Sequence, residues 1–393
     1  HVKALKKCGV LTASESKKLL SAIEGLRKKT REGSLKLDAG AEDVHSAVQA
    51  EIGRAVGPLA DKLHTARSRN DQVVLDVRLY CREEIGQITS RLANLQKAIL
   101  AFAIKNKDVI IPAYTHLQAA QVVLLAHQML AYIEMLERDK ARLNDIKKRV
   151  DVMPLGSCAL SGTTLPIDRA YVAKKLGFAS ISQNSIDAVS DRDFIIESLS
   201  ALSIIAMHLS RISEDLILWA THEFNFIEID MAFCTGSSIM PHKKNPDILE
   251  LIRGTTGKVY GNLFAALTLM KGLPLTYNRD MQLDKPPLFD SVDTVKQMVE
   301  LLSKIFVTLK VKKDVAKKAI LNESFFTVDL MEYLVRKGVS CREAHGIIGK
   351  MIKECLDKGI KLSSLSMAQL NNYSKKFSSD TKKILCAEAS VSA

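Results

Sequence analysis

The sequence predicts an all-α chain in three parts, organised around a central bundle of long helices. Three observations carry that prediction. Five segments repeat apolar residues at steps of three and four, the spacing that keeps one helix face against a neighbour. No stretch alternates apolar and polar residues convincingly as a strand would, and no repeat of fixed period occurs. The 393 residues also exceed what one simple core organises, so two or three domains are expected.

In chain order, residues 1–66 form a smaller N-terminal helical unit. It opens HVKALKK, which reads as the middle of a helix, so an upstream segment is expected and targeting is not readable. The bundle spans 67–319. Its first stripe runs through Ile85, Ile88, Leu92, Leu95, Ile99 and Phe102, and its second through Leu125, Met129, Tyr132, Leu136, Leu143, Ile146 and Val150. The third is Ile195, Leu199, Leu202, Ile205, Leu209, Ile212 and Leu216; the fourth is Ile252, Val259, Leu263, Leu267 and Met270. Val292, Val295, Val299, Leu302, Phe306 and Leu309 make the fifth. A segment of about 30 residues is roughly 45 Å long, and such rods seldom stand alone, which points to oligomerisation. Residues 320–393 form a second small helical unit, polar and Lys-rich at its end.

Composition narrows the function. Apolar residues make up 47% and charged residues 25%, the balance of a soluble globular protein. Aromatics are 5% with a single Trp, too few for stacking platforms. No apolar run reads as long enough to span a bilayer. Seven scattered cysteines, odd in number and without C-x-x-C, argue against a disulfide framework and for a reducing, cytoplasmic compartment. The net charge of +12 raises nucleic-acid binding, but the lysine pairs are dispersed, as on solvated helix faces, and attraction of small anions fits as well.

The polar interruptions, at 62–72, 112–121, 153–193, 234–247 and 271–290, are where chemistry is to be sought. TGSSIMPHKKNPD (235–247) reads as a flexible loop over 236–244, with Asn245 capping the next helix and Pro246 in its first turn. A helix N-terminus beside Lys243 and Lys244 suits a carboxylate; a surface loop with solvated lysines is the plainer reading. KLHTARSRNDQ (62–72) offers Arg67, Ser68, Arg69 and Asn70, either carboxylate donors or a polar helix cap. YTHLQ (114–118), entering the second long helix, brings His116, a side chain suited to proton transfer but often structural. PLTYNRDMQLDK (274–285) is a further donor-rich loop, and His45 in EDVHSA is as readily structural as functional. There is no H-E-x-x-H, no Cys/His cluster, no P-loop and no G-x-S-x-G, so no metal site, phosphate loop or serine-hydrolase elbow is expected.

Together these segments resemble the argininosuccinate lyase family of the aspartase/fumarase superfamily. GSSIMPHKKNP looks like the superfamily's signature; KLHTARSRNDQVVLD, AYTHLQ, MPLGSCALSGTTLPIDR with NSIDAVSDRDF, LPLTYNRDMQLDK and DLMEYLVRKGVSCREAH narrow the member. The similarity extends over essentially all of 1–393. It implies a three-domain chain of the aspartase/fumarase type, a homotetramer whose sites are shared by three subunits, and no cofactor. The implied reaction is reversible anti elimination of argininosuccinate to arginine and fumarate through an aci-carboxylate dianion. The resemblance carries Ser237 over as the general base, Lys243 as the stabiliser of the dianion, and His116, oriented by Glu250, as the general acid, directly or through water. Ser68, Arg69, Asn70, Thr115, Asn245, Arg192, Tyr277, Gln282 and Lys285 match substrate contacts. Ala66 stands where Gly is usual, Ala119 and Val122 replace an Arg and a Pro, and Leu283 replaces an acidic residue. The family's N-terminal segment, which also contributes to the arginine side of the pocket, does not precede His1 in this sequence. Adenylosuccinate lyase or another fumarate-releasing relative is the nearest alternative. A catalytically silent protein like the lens delta-crystallins, which resemble the same family, is the alternative of another class.

Overall fold

The five stripes form five rods: Arg69–Lys105, Leu125–Val150, Asp193–Ala220, Asp247–Met270 and Lys285–Thr308. These come from a computed structural model, which describes residues 1–392. All the residues of the first, second, third and fifth stripes are buried, which at about 25 cal/mol per Å² of apolar surface makes the rods mutually stabilising. The fourth stripe departs from expectation. Ile252 and Val259 are buried, but Leu267 is 47% exposed and the neighbouring Phe264 71% exposed, so this rod turns part of its apolar surface outward. The third rod corrects a second expectation, because by length and composition it is apolar enough to cross a bilayer. Its stripe from Ile195 to Leu216 is buried, however, which is the pattern of a bundle's core helix.

The terminal stretches have cores of their own. Helices Val2–Lys7, Ala13–Arg31 and Val44–Val56 gather around Leu5, Leu11, Leu19, Ile52 and Leu63. Thr12 and Glu15 close a reciprocal capping box at the start of Ala13–Arg31. Near the other end, Thr327–Arg336 and Cys341–Lys358 pack around Leu330, Leu334, Ile348 and Met351. Compactness divides the chain into two units, each drawn from three stretches. The first takes His1–Ser90, Asp139–Ile204 and Gly257–Val295; the second takes Arg91–Arg138, Ile205–Thr256 and the chain from Lys296 onward.

Strands do occur, contrary to the sequence reading, as three two-stranded ribbons among the described residues. β1 (Ile110–Thr115) pairs antiparallel with β2 (Gln118–Leu124), β3 (Val152–Met153) runs parallel to β4 (Ser180–Ile181), and β5 (Ile227–Glu228) pairs antiparallel with β6 (Lys310–Val311). The β3–β6 strands are two residues each, too short for alternation to register. In β1–β2 the apolar residues are consecutive rather than alternating, because Ile111, Pro112 and Val122 are buried on a hairpin packed against Phe325 and Phe326. Val122 lies opposite Pro112 in that ladder. A proline at both positions would remove a second ladder donor, so the valine suits this pairing.

Ala66 adopts φ 53°, the left-handed region, at the position where the resemblance leads one to expect Gly. An L-residue there carries about 1 kcal/mol of strain, part of which Gly would relieve. Ala66→Gly should therefore leave the melting temperature unchanged or raise it by a few degrees, while Ala66→Val, adding a β-branch, should lower it. A larger loss for Gly than for Val in a thermal scan would contradict the strain reading.

Candidate functional site

His116 does not enter a helix. It and Leu117 are the two central residues of the turn that joins β1 to β2, where Thr115 pairs with Gln118. Both lie in the left-handed region, His116 at φ 55° and Leu117 at φ 56°. A two-residue hairpin of this hand normally uses Asn or Gly, so neither residue announces it in the sequence. Two consecutive strained non-glycine residues persist only when their surroundings over-determine them, a feature that clusters at functional sites. Here the ladder, a register shift between Ala113 and Tyr114, and an edge-on contact of Tyr114 with Phe224 at 5.3 Å supply that constraint. Thr115 and His116 are both exposed.

Ser237 lies in the second unit as well, on the expected loop. Its Oγ accepts hydrogen bonds from the backbone N–H groups of Met240 at 3.0 Å and Ile239 at 3.3 Å. Two donors aimed at one oxygen favour its deprotonated form. The loop's ends are clamped: Thr235 and Asn245 exchange backbone hydrogen bonds of 3.1 and 2.9 Å, and the Thr235 hydroxyl donates to the Asp247 carboxylate. That bridge alters the cap expected at Asn245. The carbonyl of Pro246 accepts the first helical bond, from Glu250, and Asn245 is committed to the bridge one residue earlier. The two lysines divide the work. Lys244 is paired with Glu228 at 3.2 Å, whereas the Lys243 ammonium has no hydrogen bond or ion pair among the described residues. Lys244 holds the Glu228 carboxyl below its ordinary range. Ile239, 86% exposed, stands at the loop tip. Glu250 is exposed and makes no hydrogen bond to His116 within this chain.

The remaining candidates lie in the first unit. Ser68 is a helix cap as well as a candidate contact: its Oγ accepts from Asn70 N–H at 3.2 Å, and its own N–H donates to Asp71 at 2.9 Å. Asp71, fully buried, also accepts the N–H groups of Gly156 at 2.9 Å and Cys158 at 2.8 Å, while Asn70 donates to the Ala159 carbonyl at 3.1 Å. Burial pushes the Asp71 carboxyl above its usual range, and these backbone donors work against it. The PLGSCALSG loop is thereby moulded onto the segment Ser68–Asp71. Arg69 has all three guanidinium nitrogens engaged, with Asp43 at 2.8 Å, Gln72 at 2.9 Å and Ser46 at 3.0 Å. Gln72 in turn meets His45 Nδ1 at 2.9 Å, and burial, then the Arg69 charge, lower the His45 pKa. Arg192 is buried, its Nε donating to Asp284 at 2.5 Å and its Nη2 without a partner among the described residues. The same Asp284 carboxylate accepts Lys285 at 2.7 Å, so Arg192 and Lys285 are tied through one anion. Tyr277 is half-buried behind Thr276, itself at φ 76°, and Gln282 is exposed.

Several of these supports escaped the sequence reading: Asp71, Asp43, Ser46, Glu228 and Asp284. Only Asp71 carried a local signal, an acid three residues after the capping Ser68. Asp43, Ser46 and Glu228 act across long sequence separations, as does Asp284 on Arg192, although Asp284 also meets its sequence neighbour Lys285. Among the described residues no group of three or more His, Cys, Asp or Glu is arranged to hold a metal ion.

Against known proteins, residues 1–261 match the family described as lyase, and residues 326–392 match the C-terminal family of argininosuccinate lyase. The argininosuccinate lyase of Syntrophus aciditrophicus (strain SB) is 50% identical over 391 residues, covering 100% of this chain and 83% of its own. That of Acetivibrio thermocellus is 49% identical over 380 residues, 97% of this chain and 83% of its own. The chain belongs to the argininosuccinate lyase family. Its enzyme class is accordingly carbon–nitrogen lyase. Among solved structures, an EDDS lyase in complex with formate superposes with a TM-score of 0.86 at 28% identity, over 98% of this chain and 78% of that one. A fumarate lyase:delta crystallin from Brucella melitensis bound to cobalt, at 20% identity and TM-score 0.78 over 96% of this chain and 88% of its own, shares the fold.

The turn yields a direct test. Leu117 is 67% exposed, so Leu117→Gly loses little packing and removes one left-handed side chain. The variant should unfold no earlier than the parent, by thermal scan, while its turnover of argininosuccinate falls because a glycine next to His116 widens the backbone conformations open to the turn. Unchanged turnover would show that the strained turn does not serve catalysis.

Proposed function

We propose that the chain cleaves argininosuccinate by anti elimination, with Ser237 as base and His116 as acid. The observation that carries this reading is the convergence of two backbone N–H donors on Ser237 Oγ, in the same loop as Lys243, whose ammonium has no partner among the described residues. Ser237 Oγ takes the proton from the carbon next to a succinyl carboxylate. The electron pair moves into that carboxylate and gives an aci-carboxylate dianion, whose charge is the chief barrier. Lys243 and the positive end of rod Asp247–Met270 supply the compensating charge. Collapse of the dianion forms the fumarate double bond and expels the guanidino nitrogen, which His116 protonates, with Glu250 orienting it. Thr115, Asn245, Ser68, Arg69, Asn70, Arg192, Tyr277, Gln282 and Lys285 bind substrate, some of the last four at the arginine end.

We propose further that the active form is a homotetramer whose sites are shared by three subunits. Glu250 without a bond to His116 in its own chain supports this, as does the outward apolar surface of rod Asp247–Met270. There Phe264 lines an open cleft of about 820 Å³ that also takes in Leu269 and Leu283, and Leu267 is exposed on the same rod. The seven free cysteines, two of them exposed, support a reducing, cytoplasmic setting.

Ser237→Ala should lower fumarate release from argininosuccinate by roughly 10²–10⁴-fold, the usual worth of a positioned base. Lys243→Met should cost a similar factor and Lys244→Met only a small one, since Lys244 is already neutralised by Glu228. Equal losses at the two lysines, read as kcat, would count against the assignment, and release from adenylosuccinate instead would transfer it to the sister lyase.

A further inference from the structure

The segment Phe224–Glu228 touches both reacting loops. At one end the Phe224 ring meets Tyr114 edge-on at 5.3 Å, and Tyr114 lies two residues before His116. At the other end the Glu228 carboxylate accepts the Lys244 ammonium at 3.2 Å, at the close of the loop that carries Ser237 and Lys243. Between them the segment is stiff. Phe226 and Ile227 are buried, Phe224 and Phe226 pack edge-on at 5.9 Å, and the Phe226 N–H donates to the Trp219 carbonyl at 2.9 Å. The Lys312 N–H donates to the Phe226 carbonyl at 2.8 Å, and β5 pairs with β6 immediately beyond, Glu228 opposite Lys310. Asn225 turns at φ 53°, a conformation asparagine tolerates, and its side chain accepts the Lys312 ammonium.

We propose that Phe224 and Glu228 are positioning residues for the lyase reaction. Phe224 holds the His116 turn through Tyr114, and Glu228 holds the Ser237 loop through Lys244. The proposal rests on the assignment of those two loops to the chemistry, and it adds a common seat for them outside every sequence motif. The need for such a seat follows from the strain. Two consecutive left-handed residues relax unless something beyond the two-residue turn fixes the strand that feeds them, and Phe224 packs on that strand. Glu228 acts differently: by occupying Lys244 it leaves the adjacent Lys243 as the unpaired charge of the loop.

The test uses the full-length enzyme and steady-state fumarate release, with circular dichroism and a thermal scan to confirm folding. Phe224→Leu, which keeps an apolar side chain but loses the ring, should lower kcat about 3- to 10-fold with KM changed less than about twofold, the scale of one aromatic contact. Phe224→Tyr should restore kcat. At Glu228, Glu228→Lys and Lys244→Glu should each lower kcat about 2- to 5-fold at low salt, and the double exchange should recover most of it. High salt should shrink all three effects. A Phe224→Leu enzyme with parental kcat but a lower melting temperature would show a structural role only and overturn the first half. Additive losses in the double exchange would overturn the second. Failure of the parent enzyme itself to release fumarate would fault the underlying functional reading, a result separable from either.

Discussion

Each rod commits a stripe of Leu, Ile, Val and Phe to the core, and that burial is the interaction everything else depends on. A fully buried side chain of this kind contributes about 1.5–3 kcal/mol, and four stripes contribute without interruption. Polar groups at those positions would carry the cost of burial, so the rods admit them only off the stripes, as at Arg78 paired with Asp191, and the polar loops lie where the rods stop. The result is a division of labour: the rods form the core, and the interruptions hold the groups proposed to meet substrate. The fourth rod is the exception that extends the argument. Its outward Phe264 and Leu267 are apolar surface that this chain alone leaves uncovered.

Strain and polar satisfaction are traded at the interruptions. The His116–Leu117 turn and Ala66 hold left-handed conformations without glycine, and the surrounding ladder or cap keeps them there. Ser68, Asp71 and the loop at Gly156–Cys158 show the complementary device, a buried carboxylate surrounded by backbone donors that fixes two segments at once. Arg69 is held by Asp43 and Ser46 from a separate helix start and by Gln72 on its own helix, which together use three of its five N–H groups. Groups fixed in this way need little reorganisation, which is what the proposed electrostatic stabilisation of a dianion requires.

Much of this was readable from residues alone where periodicity or capping rules apply. The rods at Arg69–Lys105 and Leu125–Val150, the loop over 236–244 and the cap at Ser68 follow from spacing and from local chemistry. The hairpin around His116 was not readable, because its strands are apolar on consecutive residues and its turn uses His and Leu where Asn or Gly would have given the signal. Asn245 was misplaced by one residue because its partner, Thr235, is a loop residue ten positions earlier, beyond the reach of a capping rule. Glu228, Asp284 and Asp43 were missed for a related reason: each is an ordinary surface-type acid in sequence, and only the fold brings them to Lys244, Arg192 and Arg69.

The central claim is that the His116 turn and the Ser237 loop act in sites assembled from more than one copy of the chain. Refolding the His116→Asn and Ser237→Ala enzymes together, each strongly impaired alone, and measuring fumarate release from argininosuccinate tests it most directly. Mixed assemblies should regain a substantial fraction of parental activity, because some shared sites receive an intact turn from one copy and an intact loop from another. Mixed tetramers, verified by mass, that release no more fumarate than either variant alone would contradict the account.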